Sequence, residues 1–193
     1  MPLIRDVGVG TQDRPVIDLG CGRGEWLNLL REEGLAGKGV DDNYILVEQC
    51  GAQGLNVVQG EMLEYLRGLE DGSAGAITGF HIVEHLPLEY LVQTLDETTR
   101  VLVPGGVAIF ETPNPENILV SSQTFHLDPT HLKPLPCALM QYLVEDRGLS
   151  RVEILKLNPY PDSAQLENDS PVAQRLNELL YGPRDYAVIG YKT

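Results

Sequence analysis

Short apolar runs alternate along the chain with longer stretches in which apolar residues recur at every third or fourth position. Short runs bounded by turn residues are typical of buried strands, and the longer spacing is typical of helices with one buried face. Their regular alternation predicts an α/β fold in which a parallel sheet carries helices on both faces. The predicted strands are Val16–Leu19, Gly37–Val40, Asn56–Val58, Ala76–Phe80, Gly106–Glu111, Arg151–Leu157 and Tyr186–Gly190. The predicted helices are Glu25–Glu33, Tyr44–Gln53, Met62–Leu69, Leu88–Leu102, Pro136–Asp146 and Val172–Tyr181.

One segment, Pro113–Pro136, departs from this alternation because it is rich in Pro, Asn, Ser and His. A connection of this length in a compact domain is usually functional, so we expect an irregular loop that contacts substrate. The length of 193 residues, of which 42% are apolar, suits a single domain spanning 1–193. The pattern also predicts that the core begins only shortly before Val16.

The formal net charge of −14 narrows the choice of partner. Clusters of Lys and Arg hold phosphate backbones, so this charge argues against a nucleic acid and leaves a small molecule or a glycan. The cysteines Cys21, Cys50 and Cys137 are widely spaced without a C-x-x-C pair, which predicts reduced thiols. The sequence shows neither a membrane span nor a signal-peptide pattern, so we expect a cytoplasmic protein. Its oligomeric state is left open.

The first predicted strand leads directly into the segment Asp18–Gly24, D-L-G-C-G-R-G, and then into a helical stretch. A strand, a glycine turn and a helix in this order form a nucleotide-binding crevice at the carboxyl edge of a parallel sheet. Dinucleotide-binding loops use G-x-G-x-x-G to place a pyrophosphate at the helix N-terminus. Here the spacing is G-x-G-x-G, with a carboxylate at the mouth that suits a cationic ligand. S-adenosylmethionine (SAM), which carries an ammonium and a sulfonium, therefore fits this loop better than a dinucleotide.

The motif D-x-G-C-G-x-G-x-W resembles the first motif of class I SAM-dependent methyltransferases. This resemblance implies an enzyme that uses SAM. It also implies a Rossmann-like, doubly wound sheet of seven strands, mostly parallel, in which the last strand is antiparallel. The residues expected to contact SAM are Asp18, Gly20, Cys21, Gly22, Gly24, Trp26, Asp41, Asp42, Glu61, Met62, Phe80 and His81.

Acidic residues follow the second and third predicted strands. Asp41 ends the second strand, where a carboxylate can accept hydrogen bonds from both ribose hydroxyls. An acid at this point can instead cap the following helix, and we assign that role to Asp42. After the third strand the family usually has an aspartate that receives the adenine amino group, and this chain has Glu61. We expect Met62 to pack on the adenine ring, and Phe80 with the residue after it to lie beside the methionine half.

All four histidines occur in two segments, His81–His85 and His126–His131. His81, Glu84 and His85 stand at i, i+3 and i+4, so one helical turn would place them on a common face. The second histidine segment can fold over the same edge. A histidine acting as general base and a divalent metal bound by imidazole and carboxylate both remain open. The candidate catalytic residues are His81, His85, His126 and His131, and the candidate metal ligands are His81, Glu84, His85 and His131.

A second resemblance bears on the metal. Small-RNA 2′-O-methyltransferases and ubiquinone-pathway O-methyltransferases carry E-x-x-E-H at the matching place and hold a metal with it. This chain is similar but has H-x-x-E-H, with His81 at the first position. The imidazole makes the site softer than the oxygen shell that Mg²⁺ prefers, so Mn²⁺ and Zn²⁺ are candidates beside Mg²⁺.

Across nearly its whole length the chain most resembles methyltransferase domains associated with O-antigen and other surface-polysaccharide assembly. The resemblance rests on the segments Phe80–Pro87, Val101–Gly106, Glu111–Asn117, His126–Pro136 and Tyr181–Ile189. It implies O-methylation of a sugar-like hydroxyl or a glycan phosphate. The alternatives are O-methylation of a small phenolic or quinone-like metabolite, a SAM-binding module without catalysis, and a dinucleotide oxidoreductase.

Overall fold

The computed structural model describes residues 2–167 and 170–193, and it places seven strands in one sheet. The strands are β1 (Val16–Leu19), β2 (Gly37–Asp41), β3 (Val57–Gln59), β4 (Ala74–Phe80), β5 (Leu102–Pro113), β6 (Leu149–Pro159) and β7 (Pro183–Lys192). Their order in the sheet is β3–β2–β1–β4–β5–β7–β6. Strands β1 to β5 are parallel, and β7 runs antiparallel between β5 and β6. The predicted Rossmann-like sheet with an antiparallel last strand is therefore confirmed.

Helices occur at the six predicted places, and two short helices, the first and the sixth along the chain, are additional to the prediction. The helices are α1 (Pro2–Asp6), α2 (Glu25–Glu32), α3 (Tyr44–Ala52), α4 (Met62–Arg67), α5 (Leu88–Val101), α6 (Ile118–Ser122), α7 (Cys137–Asp146) and α8 (Pro171–Leu176). Short 3₁₀ helices span Val83–His85, Thr124–Leu127 and Asp162–Ala164, and a π-helix spans Asn177–Tyr181.

Successive residues of the central strands enter two different hydrophobic cores, because side chains alternate between the two faces of a sheet. Ile17 of β1 shares a core with residues of α4, α5 and α7, while its neighbour Val16 shares the other core with residues of α1 and α2. Ile77 and Ala76 of β4 divide between the cores in the same way. The helices therefore cover both faces of the sheet, as predicted.

Helix α1 belongs to the second of these cores, since Ile4 has no exposed surface and Val9 is 4% exposed. The expectation that the core begins only shortly before Val16 is therefore wrong. Helix α1 has only five residues, which is too few for a helical repeat of apolar positions to stand out in the sequence.

The segment Pro113–Pro136 is more ordered than the predicted irregular loop, because it contains α6 and the 3₁₀ helix Thr124–Leu127. Asn117 caps α6 by accepting hydrogen bonds from two backbone N–H groups, at 3.0 and 3.3 Å. The side-chain amides of Asn114 and Asn117 donate to backbone carbonyls at the start of β7, at 2.9 and 3.0 Å. These contacts fix the segment against the sheet edge where β5 ends.

Two further features of the described residues concern the cysteines and the length of the helices. Cys21, Cys50 and Cys137 are buried free thiols, as predicted. Within residues 2–167 and 170–193, no helix combines the length and apolar character that crossing a bilayer requires.

Candidate active site

The glycine turn between β1 and α2 holds three residues in the left-handed region, with φ of 65° at Gly20, 56° at Gly22 and 77° at Gly24. Glycine adopts this conformation without the steric cost of a Cβ atom. A Cβ on Gly24 would lie 2.4 Å from Leu55 Cδ1, so packing rather than ligand contact requires glycine there. A Cβ on Gly22 would meet no atom within 4 Å. The side of Gly22 on which a Cβ would stand therefore faces open space.

Two cavities meet at Gly20 along the carboxyl edge of the sheet. The first has a volume of about 470 Å³ and is lined by residues that follow β2, β3 and β4, including Asp41, Asp42, Glu61, Met62, His85 and Tyr90. The second has a volume of about 420 Å³ and is lined by Asp18, Gly20, Cys21, Gly22, Trp26 and Phe80. Most of the residues predicted to contact SAM therefore line one or the other of these two adjacent cavities.

Asp18 is a buried carboxyl at the second cavity, with 2% of its surface exposed. Burial raises the pKa of Asp18 to about 7, the hydrogen bond from Thr78 opposes this shift, and the nearby charge of Asp41 adds to it. Thr78 Oγ1 donates to Asp18 Oδ1 at 2.7 Å. The carboxyl therefore has a neutral donor beside it, and a cationic group in the cavity would favour its ionised form.

Asp41 fixes the glycine turn from the end of β2. Its Oδ2 accepts a hydrogen bond from Gly22 N at 2.8 Å, and its Oδ1 accepts one from Asn43 N at 2.9 Å. Asn43 caps α3, since its Oδ1 accepts from Ile45 N at 3.0 Å. The capping role assigned to Asp42 is therefore wrong, because Asn43 lies directly before the helix. Each carboxylate oxygen of Asp41 keeps a second lone pair for a ligand in the first cavity.

Glu61 caps α4, with Oε1 accepting from Leu63 N at 2.8 Å and Oε2 accepting from Glu64 N at 3.0 Å. Its carboxylate is thereby held at the rim of the first cavity, which it lines. Met62 lines the same cavity and is 8% exposed.

Two aromatic rings line the second cavity. Trp26 and Phe80 meet edge to face, with ring centroids 5.2 Å apart. The indole Nε1 of Trp26 is buried and has no hydrogen-bond partner among the described residues. Beside them, burial raises the pKa of the Cys21 thiol far above its ordinary value, so this thiol is neutral.

Glu84, His85 and His131, which we call the Glu84 cluster, converge at the edge beyond β4. One candidate ligand atom from each residue lies within 4.8 Å of the other two. Glu84 is 1% exposed, and its Oε2 accepts a hydrogen bond from Thr112 Oγ1 at 2.9 Å. Its Oε1 is buried without a hydrogen-bond partner among the described residues and lies 3.8 Å from His131 Nε2. A buried carboxylate oxygen is costly unless a cation or a donor reaches it, and His81 supplies such a group, with Nδ1 3.3 Å from Oε1.

Each imidazole of the Glu84 cluster has a hydrogen-bond partner at its Nδ1 atom. His131 Nδ1 lies 2.6 Å from the carbonyl oxygen of Phe125, and His85 Nδ1 lies 2.9 Å from Thr130 Oγ1. The two imidazole rings meet edge to face, with centroids 4.7 Å apart. Metal-binding histidines are commonly oriented by such partners on the other ring nitrogen.

His81 follows β4 with a left-handed φ of 52°, so it does not share a regular helical turn with Glu84. Its Nδ1 lies 3.3 Å from Glu84 Oε1, and its Nε2 lies 3.6 Å from Glu111 Oε1. The neighbouring carboxylates of Glu111 and then Glu84 raise the pKa of His81 to about 10. An imidazole that is protonated at neutral pH has no lone pair for a proton or a metal. This geometry therefore argues against the base and ligand roles expected for His81.

Glu111 and Asp185 form a second group with His81, in which candidate ligand atoms lie within 4.8 Å of one another. Sequence reasoning missed both acids. Asp185 reaches this edge because β7 pairs antiparallel with β5, opposite Pro113. The signal that could have found Glu111 is its place near the carboxyl end of a central strand.

His126 does not join the other histidines. Its Nε2 lies 3.1 Å from the carbonyl oxygen of Ser121, and its ring contacts Phe125 at a centroid distance of 5.5 Å. The expected catalytic role for His126 is therefore not supported. Its imidazole stays within its own segment because the 3₁₀ helix places it back over α6.

The architecture and the crevice match a known family. A family model described as a methyltransferase domain matches residues 6–154. The chain belongs to this methyltransferase family. A crystal structure of a SAM-dependent methyltransferase from Archaeoglobus fulgidus is similar to it, with a TM-score of 0.89 and 32% identity. That similarity covers 98% of this chain and 91% of the other.

A curated protein of Mycolicibacterium smegmatis is described as a probable S-adenosylmethionine-dependent methyltransferase, and it is 30% identical over 137 residues. The match covers 70% of this methyltransferase, which spans 51% of that relative's length. A Haloferax volcanii methyltransferase solved with the activator Trm112 shares the fold at 20% identity and a TM-score of 0.73, with 98% and 86% of the two chains covered. SAM is therefore the cosubstrate of this methyltransferase.

Proposed function

We propose that this methyltransferase transfers the methyl group of SAM to a hydroxyl of a sugar-like acceptor, which the Glu84 cluster activates. The observation that carries the proposal is the convergence of Glu84, His85 and His131, which each place one candidate ligand atom within 4.8 Å of the other two. The buried Glu84 Oε1 lies 3.8 Å from His131 Nε2 and 3.3 Å from His81 Nδ1.

The cosubstrate is proposed to lie along the two cavities, with its adenosine in the first and its methionine in the second. Asp18 would pair with the ammonium group, and the open space beside Gly22 would let the ligand approach the turn. Asp41 would accept from the ribose hydroxyls with its remaining lone pairs, and Met62 would pack on the adenine. The residues proposed to contact SAM are Asp18, Gly20, Cys21, Gly22, Trp26, Asp41, Asp42, Glu61, Met62 and Phe80.

The Glu84 cluster is proposed to hold a divalent metal through Glu84, His85 and His131. Such an ion would supply a Lewis acid that lowers the pKa of the acceptor hydroxyl. Two imidazoles and one carboxylate suit Mn²⁺ or Zn²⁺ better than Mg²⁺, which prefers oxygen ligands. Thr112 would hold the second oxygen of Glu84, so that only Oε1 faces the site.

The charge at this edge favours a hydroxyl over a phosphate as acceptor. Glu84, Glu111 and Asp185 bring three carboxylates together around His81. These charges disfavour a glycan phosphate and suit a polar, uncharged sugar. Phe125 is 3% exposed and contacts His131 in a tilted arrangement at a centroid distance of 4.6 Å, so it offers little surface to a phenolic ring. Recognition of the acceptor would fall to the segment Pro113–Pro136, in keeping with a role in polysaccharide or glycoconjugate assembly.

The proposed reaction balances in atoms and charge. The acceptor oxygen forms a bond to the methyl carbon, the carbon–sulfur bond breaks, and the acceptor proton is released. Alignment of donor and acceptor would lower the barrier by up to about 7–11 kcal/mol.

The proposal is tested with labelled SAM and a panel of sugars, sugar phosphates and catechols. We expect methyl transfer to a sugar hydroxyl, loss of activity with a chelator, and better restoration by Mn²⁺ or Zn²⁺ than by Mg²⁺. His131→Ala should abolish turnover, while the matched control His126→Ala should retain it. Turnover that survives chelation but not His131→Ala would favour a histidine base. Methylation of catechols alone would move the assignment to phenolic metabolites, and SAM binding without any turnover would favour a non-catalytic module.

A further inference from the structure

A chain of three hydrogen-bonded groups runs from the protein surface to the Glu84 cluster. Asp128 Oδ1 accepts from the backbone N of Thr130 at 2.8 Å and lies 2.5 Å from Thr130 Oγ1. The same Thr130 Oγ1 lies 2.9 Å from His85 Nδ1. Asp128 is exposed and follows the 3₁₀ helix, whereas His85 lies 45 positions from Thr130, at the other side of the crevice edge.

Counting protons along this chain fixes the direction of each hydrogen bond. Asp128 is an exposed carboxylate that takes hydrogen bonds from both the hydroxyl and the backbone N–H of Thr130, so it can only accept. A threonine hydroxyl has a single proton, and Thr130 donates it to Asp128. Toward His85 the hydroxyl can then only accept. His85 must therefore carry a proton on Nδ1, so in the neutral imidazole Nε2 is the nitrogen with a lone pair.

His131 also carries a proton on Nδ1, but its hydrogen-bond partner is a backbone carbonyl. Its Nδ1 lies 2.6 Å from the carbonyl oxygen of Phe125, and a carbonyl can only accept. In the neutral imidazole its Nε2 is thereby the nitrogen with a lone pair, 3.8 Å from Glu84 Oε1. The two imidazoles of the cluster thus carry their protons on corresponding ring atoms.

We propose that Asp128 and Thr130 are positioning residues that hold His85 in the Nδ1–H tautomer and so leave Nε2 free for the chemistry of the Glu84 cluster. The inference rests on the proposed function of that cluster. Neither residue touches the reacting atoms. Without the carboxylate of Asp128, the Thr130 hydroxyl can turn and donate to His85 Nδ1, which moves the imidazole proton to Nε2 and blocks that atom.

The tautomer can be measured directly in the full chain by ¹⁵N NMR of the histidine rings. In the wild-type protein we expect His85 to be protonated on Nδ1 only. Asp128→Ala and Thr130→Val should shift His85 toward the Nε2–H tautomer while His131 keeps its own. Thr130→Ser retains the hydroxyl and should restore the wild-type spectrum. Thr124→Val is the matched control, because Thr124 is exposed in the same segment and makes no side-chain hydrogen bond among the described residues.

A second readout is the affinity for Mn²⁺ measured by calorimetry. Loss of an orienting partner typically weakens metal binding by about 10–100-fold, and we expect this loss in Asp128→Ala and Thr130→Val but not in Thr130→Ser. A wild-type His85 that carries its proton on Nε2 would overturn the inference, as would an unchanged tautomer in both variants. Absence of Mn²⁺ binding in the wild type, with His85 protonated on Nδ1, would instead overturn the proposed metal and leave the positioning role intact.

Discussion

Asp18 and Thr78 face each other across β1 and β4, in direct register, and the threonine hydroxyl donates to the carboxyl at 2.7 Å. The pair is buried, with 2% of Asp18 and none of Thr78 exposed. Burial, reinforced by the charge of Asp41, raises the pKa of Asp18 to about 7 against the opposing effect of this hydrogen bond. The ligand-free protein therefore keeps a proton on Asp18 over much of the acidic range.

Binding of SAM is expected to release that proton. The ammonium of SAM favours the ionised form of Asp18, so the pKa of Asp18 falls on binding. Below about pH 7 the free protein is protonated at Asp18, and binding should strengthen as pH rises through this value. Calorimetry at pH 6 in two buffers of different ionisation enthalpy measures the proton release. In Asp18→Asn the release should vanish, and equal apparent enthalpies in both buffers for the wild type would contradict the prediction.

The sheet was predictable because a strand buried on both faces needs apolar residues, and these residues appear as an apolar run in the sequence. Strands β1 and β4 are buried along nearly all their residues, and their apolar runs are visible in the sequence. The length of β5 was less predictable. It spans Leu102–Pro113, although the predicted strand begins only at Gly106, because Pro104 and Gly105 signal a turn in the sequence. In the structure both residues lie within the strand and are exposed.

The site was only partly predictable, because its geometry depends on distant pairings. The glycine turn and the acid at the end of β2 follow from local sequence. The approach of Asp185 to His81 requires the antiparallel insertion of β7, which local periodicity does not encode. Likewise, the separation of His126 from His131 depends on a 3₁₀ helix within a segment that sequence describes only as irregular.

Two glycines of the same turn should respond differently to alanine. Both have a positive φ, so each substitution carries a strain of about 1–2 kcal/mol. Gly24→Ala also drives a Cβ to 2.4 Å from Leu55 Cδ1, so it should lower the free energy of unfolding further. Gly22→Ala meets no protein atom, and its main effect should be weaker SAM binding. Denaturant unfolding and calorimetry of both variants test the contrast, and a larger stability loss at Gly22 than at Gly24 would refute it.

Asp41→Ala should weaken SAM binding and destabilise the turn together. The substitution removes the acceptor for Gly22 N at 2.8 Å and for Asn43 N at 2.9 Å, besides the proposed ribose contact. We expect SAM affinity to fall by about 1–3 kcal/mol, the cost of leaving hydrogen-bonding groups unpaired. Thermal unfolding without ligand should show a lower Tm. Asp42→Ala is the control for stability, because Asp42 is exposed and makes no side-chain hydrogen bond among the described residues. An unchanged affinity in Asp41→Ala would remove this residue from the site.

Glu84→Gln should separate stability from metal binding. The carboxylate is buried, so removing its charge relieves a desolvation cost that offsets the loss of the ion pair with His81 Nδ1 at 3.3 Å. In the presence of a chelator we expect the variant to be as stable as the wild type or more stable by about 1 kcal/mol. Binding of Mn²⁺, measured by calorimetry, should be lost. Thr112→Val is the comparison variant, with the opposite expected effect on stability. It leaves Glu84 Oε2 without its donor at 2.9 Å and should destabilise the protein by about 1–3 kcal/mol. A Glu84→Gln variant that loses several kcal/mol of stability without metal would show instead that the carboxylate is a structural element of the fold.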